Sequence, residues 1–295
     1  QVANRDTTKR LREIGGHDVA EARRRLQSAQ AARLYVRTFG SIAVHRGGWN
    51  GPAITIDKKR VRALLGVLAA HAREPLTRDG AIDLLWPDAD GDAAVNSLNQ
   101  TVYQLRRHLD PSYRGGDSAE YVISTSDHVA LNHELVHTDL NELGRLAHRL
   151  EDGTWSDRHA LAGRLLDLVG GEFLGDLRYE DWVSRTQLAV HTEVRALLLP
   201  IAQSTRGQFD PNTSTRAASV LLRFDPYDEA AILALASGMA ASGQRIAARA
   251  VVFDHAQRVR REFDDEPSAE FVAAAEAIAP GWHVKLRLTQ PASRP

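Results

Sequence analysis

Cysteine is missing from this chain altogether, which removes thiolate catalysis, cysteine-ligated zinc, iron–sulfur clusters and structural disulfides from consideration. The same absence fits a reducing, cytoplasmic setting. An excess of charge of either sign is missing too. The 37 Lys and Arg stand against 38 Asp and Glu, so no global field draws the chain onto nucleic acid or an anionic membrane, and any such contact has to come from a local face. Long apolar runs are also lacking: the longest, 61–70 and 196–202, fall well short of the ~20 residues a membrane helix needs, and no membrane span is expected in this segment. No G-x-S-x-G elbow, phosphate-cradling glycine loop or dinucleotide fingerprint occurs, so the expectation is a non-enzymatic protein with no cofactor, catalytic or metal residues.

What is present is ordinary globular material, 43% hydrophobic and 25% charged. Its 295 residues, at ~150 per domain, predict about two domains, each able to bury a core without staples. The chain opens on Gln1 rather than Met and without the order of a signal peptide, which reads as a cut or processed piece.

Residues 1–33 read as a polar, arginine-rich linker or approach helix. From Leu34 the period changes. Leu34, Val36, Ile42 and Val44, then Ile54 and Ile56 after a glycine-rich turn, alternate as short antiparallel strands do. Val61, Leu64, Leu65 and Leu68 predict a helix over 60–72, stopped at Glu74-Pro75. A second helix follows the capping Thr77 and breaks at Pro87; a third runs from about Ala93 to Leu109, with Val95, Leu98, Val102, Leu105 and Leu109 on one stripe. After a Gly115-Gly116 loop, strands over 121–123 and 129–131 flank 124–128 as a hairpin. Strands, three helices and a terminal hairpin describe a winged helix over residues 34–137.

Past Thr138 the pattern is helical, with stripes such as Leu161, Leu165 and Leu168 or Leu188, Val194, Leu197 and Leu198. Gly207…Asp210-Pro211 is echoed by Gly243 thirty-six positions after Gly207, near the ~34-residue period of tetratricopeptide hairpins. The fold class expected is therefore mainly α: an N-terminal winged helix-turn-helix (α+β), then an all-α tetratricopeptide-like domain over 138–280. A tail over 281–295 includes an alternating, strand-like stretch at 283–288.

Several strings carry a family resemblance. Leu84-Leu85-Trp86-Pro87-Asp88, Asn96-Ser97-Leu98-Asn99 and Gln104-Leu105-Arg106-Arg107-His108-Leu109 resemble the winged helix of SARP/AfsR-type bacterial transcriptional regulators. Gly171-Glu172-Phe173-Leu174, Asp181-Trp182-Val183, Asp225-Pro226 and Glu262-Phe263…Glu266-Pro267-Ser268 resemble their bacterial transcriptional activator domain. Together they cover about 34–278. The resemblance implies an OmpR-like winged helix that binds DNA, usually as pairs of molecules on direct repeats. It also implies a helical domain used for dimerisation or for contact with RNA polymerase or another protein. The hairpin departs from the pattern. Where family members often carry Arg and Gly-Tyr, it reads Ser124-Thr125-Ser126-Asp127-His128, and across 33–139 acids are about as numerous as bases.

On the third helix, at ~100° per residue, Asn96, Gln100, Tyr103, Gln104 and Arg107 fall opposite the apolar stripe. Asn and Gln can pair with adenine, Arg with guanine, and Tyr can meet a phosphate or a thymine methyl, so these five are the base-reading candidates; an ordinary solvated helix face is the alternative. Arg106, with Lys58, Lys59 and Arg60, supplies the phosphate candidates. His133-Glu134-Leu135-Val136-His137 matches the zinc-peptidase pattern H-E-x-x-H, whose chemistry requires both histidines on one helical turn. Here the segment follows a strand and precedes a capping box at Asp139…Glu142, so an extended connector is expected instead. The first functional expectation is a sequence-specific DNA-binding regulator. The second is a signalling adaptor whose winged helix and helical repeats bind protein.

Overall fold

The computed structural model describes residues 28, 30–114, 118–204 and 208–282. The linker reading of 1–33, the Gly115-Gly116 loop, Gly207 of the repeat and the strand-like stretch at 283–288 fall wholly or largely outside those residues. The chain divides into two compact units, one holding residues up to Glu142 together with Leu174–Val183, the other Leu143–Phe173 together with everything from Ser184.

In the first unit, alternation produces strands β1 (Leu34–Arg37), β2 (Ala43–Arg46) and β3 (Ala53–Ile54), and inward-facing Leu34, Val36 and Val44 are buried. A further strand, β4 (Leu76–Thr77), precedes the hairpin of β5 (Val122–Ser124) and β6 (His128–Leu131), and β7 (Val136–Thr138) follows it. Two sheets result, a four-stranded β3-β2-β1-β7 and a three-stranded β4-β6-β5. β7 runs parallel to β1 with Tyr35 opposite His137; every other pairing is antiparallel. The helices are α1 (Lys59–Ala70), α2 (Arg78–Leu85) and α3 (Gly91–Leu109). Thr77 caps α2 by accepting from the Gly80 N–H at 3.1 Å. Along α3 the buried stripe is Ala94, Leu98, Thr101, Val102, Leu105 and Leu109. Val95, expected on it, is 39% exposed, because Ala94 takes the inner position at the helix start.

The H-E-x-x-H segment is not helical. Leu135 and Val136 both donate to the Asn132 carbonyl in a turn, and His137 then lies in β7. The expected capping box is corrected as well. The Asn141 N–H is accepted by the Thr138 hydroxyl at 3.2 Å, while the Asp139 carboxylate turns inward to accept from the Thr38 and Phe39 N–H groups at 2.5 and 2.9 Å and from the Thr38 hydroxyl at 2.5 Å. Those donors lie at the end of β1, away from water, and the Asp139 carboxyl group is the acceptor that satisfies them.

The segment Leu174–Val183 belongs with this unit although its neighbours in sequence do not. Leu174 and Gly175 donate to the Thr38 and Gly40 carbonyls at 2.7 and 2.9 Å, and Leu174 adopts the left-handed conformation, φ 52°. A Cβ on Gly66 would lie 2.9 Å from the Leu177 side chain and 3.0 Å from that of Ile42, so glycine there allows the segment to seat on α1. The 174–183 segment thus departs from the sequence-based division at Thr138.

The regular elements of the second unit are all helices among its described residues. The division runs through α4 (Asp139–Asp152) and α6 (Asp181–Ala202); α5 (Trp155–Leu168), α7 (Pro211–Phe224), α8 (Glu229–Ala241), α9 (Arg245–Phe263) and α10 (Ala269–Ile278) complete it. Asp210 caps α7 ahead of Pro211, Asp228 caps α8, and Ser268 caps α10. Gly243, at φ 80°, turns the chain from α8 into α9. Ile232, Ala236, Val252, Ala256, Phe271, Ala275 and Trp282 form the shared core of these last helices. In α6 the buried stripe is Val190, Val194, Leu198 and Ile201, and Leu188, expected inside, is 70% exposed. The fold class is mainly α, a winged helix followed by an all-α unit.

Candidate nucleic-acid interface

The winged-helix unit buries one side of α3 and leaves the other open. Leu98, Leu105 and Leu109 are fully buried, while Asn96, Gln100 and Arg107 are exposed and Tyr103 retains half its surface. Four of the five expected readers therefore share one solvent face, as the 3.6-residue period requires. Gln104 is half-buried at its margin, where its Oε1 accepts from Lys58 Nζ at 3.3 Å. Tyr103 meets Tyr113 edge to face, with ring centroids 5.9 Å apart. No acid occurs on α3 past its first turn, and Arg106, Arg107 and His108 fill its last turn, where the helix dipole favours cations.

The four phosphate candidates separate into different roles. Lys58 lies beside α3 through Gln104. Lys59 and Arg60 face Glu180 instead, at 2.7 and 3.7 Å, and Arg60 also donates to the Leu85 carbonyl at 2.8 Å. α1 has no acid in its first turn, and Glu180 supplies the negative charge that its N-terminus favours. Arg106 turns under the hairpin. Its Nε and Nη2 donate to the Val122 carbonyl at 3.1 and 2.8 Å and its Nη1 to the Tyr113 hydroxyl at 3.1 Å, with Glu120 at 3.9 Å. With its donors so committed, Arg106 ties β5 to α3, and the phosphate role expected of it gives way to that tie.

Sequence reading passed over Arg78, at the first position of α2. Its N–H donates to the Asp127 carbonyl at 2.9 Å, its Nη1 to the Ser124 hydroxyl at 3.0 Å and its Nη2 to Asn99 Oδ1 at 2.6 Å. No periodicity marks such a residue, since it is polar, half-buried and joined to partners distant in sequence. The hairpin tip is closed by Thr125, whose N–H donates to the His128 carbonyl at 2.9 Å and whose hydroxyl accepts from the His128 N–H at 3.0 Å; Ser126 and Asp127 are exposed. Among the described residues no group of three or more His, Asp and Glu is placed to hold a metal ion, and no helix is long and apolar enough to cross a membrane.

No protein-family model matches the chain, and no curated protein does so either. Among solved structures, it is similar to Mycobacterium tuberculosis EmbR, a structure determined in complex with a low-affinity phosphopeptide. The TM-score is 0.60 and the identity 19%, over 88% of this chain and 66% of that one. Likeness at that identity is one of fold.

Proposed function

We propose that this protein is a sequence-specific DNA-binding transcriptional regulator that lays α3 in the major groove. The observation that carries this reading is the exposed face of α3, where Asn96, Gln100, Tyr103 and Arg107 stand together beside a hairpin wing. Amide side chains and a guanidinium on one helix face match the donor and acceptor edges of bases, and a helix of this diameter fits the major groove. Gln104 joins them by moving off Lys58, and Lys58 is then the phosphate contact, with Lys59 and Arg60 partly neutralised by Glu180. The helical unit serves dimerisation or contact with RNA polymerase or another protein, as paired helices in such arrays commonly do. The resemblance of the sequence to SARP/AfsR-type regulators agrees with this reading.

A second reading, the adaptor that binds protein, draws on the exposed Asp127 at the wing tip and on the balanced charge. Salt separates the two, because each neutralised phosphate releases counterions and steepens the loss of affinity with salt. The test is selection of bound fragments from a genomic library at low salt, followed by titration of the recovered duplex. Arg107→Ala should cost about 1–3 kcal/mol and relax preference at one base position. If folded protein selects no fragment, or if Arg107→Ala and Gln100→Ala both leave preference unchanged, the adaptor becomes the better account.

A further inference from the structure

Besides Arg106, a second side chain joins the wing to the reading helix. Arg78 directly follows β4, which pairs with β6, and its guanidinium spans from Ser124 at the end of β5 to Asn99 on α3. Asn99 precedes Gln100, and Ser124 opens the hairpin turn. A guanidinium is flat, with its donors in a fixed fork, so two acceptors held by its two Nη groups are also held at a set angle to each other. The Arg78 N–H adds a third tie, to the Asp127 carbonyl on the far side of the turn. Both side-chain acceptors are neutral, so the connection is directional rather than a loose pairing of charges.

We propose that Arg78 is a positioning residue for base reading: it fixes the angle between α3 and the wing, and its loss reduces discrimination between sequences more than affinity for DNA in general. This rests on the DNA-reading function proposed above. A bidentate base contact requires both hydrogen bonds to be aligned together, whereas a phosphate contact tolerates rocking of the helix in the groove.

The experiment uses the full chain and two labelled duplexes, one recovered by selection from a randomised pool and one of the same composition with its order scrambled. Affinity for each is measured across a range of KCl for wild type, Arg78→Ala, Arg78→Lys and the Asn99→Ala/Ser124→Ala double variant. Amide hydrogen exchange on the same samples follows the hairpin, with α1 and β1 reporting on the fold. In Arg78→Ala the preference for the selected duplex should fall about tenfold with the salt slope unchanged, while the hairpin amides exchange faster and α1 does not. The double variant should reproduce this, and Arg78→Lys, which can hold one acceptor but not both, should recover part of it. If Arg78→Ala unfolds the unit, the other two variants decide. A salt slope lower by about one unit with preference retained would make Arg78 a phosphate contact and overturn the proposal, as would unchanged preference. Wild-type protein that binds neither duplex overturns the DNA reading itself, and this role with it, even if the hairpin still loosens.

Discussion

Burial shifts an acid in one unit and bases in the other, and a fall in pH should act on them in opposite directions. In the winged-helix unit the buried group is Asp139, whose carboxyl is pushed above its ordinary range by burial, against the pull of the hydrogen bonds from Thr38 and Phe39. In the helical unit the groups that burial shifts are imidazoles, His255 fully buried and His191 half-buried, while the buried Asp228 is held by the Arg195 guanidinium at 2.6 Å. His255 has neither ring nitrogen hydrogen-bonded and packs against Phe271; His191 lies on Phe224 with its Nε2 likewise unpartnered; burial lowers both, and Glu229 and Glu172 pull them only partly back. A carboxyl whose folded value is raised stabilises most below its unfolded value, and that contribution is lost as pH rises through the folded value. A histidine whose folded value is lowered stabilises above its unfolded value of ~6.5, and that contribution is lost as pH falls from there through the folded value. Mild acid therefore weakens the helical unit through these groups while favouring Asp139 in the other.

Substitutions at three positions sharpen or break that contrast. Phe271→Ala removes a fully buried ring from the core of α8, α9 and α10 and should cost about 3–5 kcal/mol in the helical unit. Hydrogen exchange should show early opening of α9 and α10 with β1 still protected, and equal opening of both would show that the two units unfold together. Asp139→Ala leaves the Thr38 and Phe39 N–H groups without their acceptor and should cost about 3 kcal/mol in the first unit. Asp139→Asn, which keeps an acceptor and carries no charge, should restore most of this and remove the carboxyl's pH response, a comparison read from denaturant unfolding across pH 4–8. His255→Leu should have the smallest effect. Replacing an imidazole that makes no hydrogen bond by a hydrocarbon removes its share of the acid-induced loss, and the helical unit should lose less stability between pH 7.5 and pH 5 than in the wild type. An undiminished acid response in that variant would move the sensitivity onto His191 or the surface.

Much of the winged helix was legible because its signals are local and periodic. Alternation at Leu34 and Val36, the Thr77 cap and the Leu98–Leu105–Leu109 stripe each depend on a few neighbouring residues. The exposed face of α3 followed from the same arithmetic, since placing the stripe places its opposite. What escaped depends on partners distant in sequence. β4 has two residues and exists only through β6, and β7 is a strand because β1 offers it an open edge. Asp139 looked like a cap by spacing, yet its donors lie a hundred residues earlier at the end of β1. The roles of Arg78 and Arg106 are likewise set by acceptors that no window of sequence contains. Leu188 and Val95 were misplaced for a different reason, because an apolar residue at the margin of a stripe satisfies the period without being covered.

The seating of Leu174–Val183 on the winged-helix unit has a consequence for synthesis. A chain emerging from the ribosome passes Thr138 with every strand and helix of the winged-helix fold already made, but with the Thr38 and Gly40 carbonyls and the apolar seat over Gly66 still uncovered. At ~5–20 residues per second the closing segment arrives a few seconds later. During that interval the nascent unit lacks its last contacts, and α4 and α5 must be translated before it can be completed. Folding of the two units is thus interleaved in time: the first cannot finish until part of the second has been made.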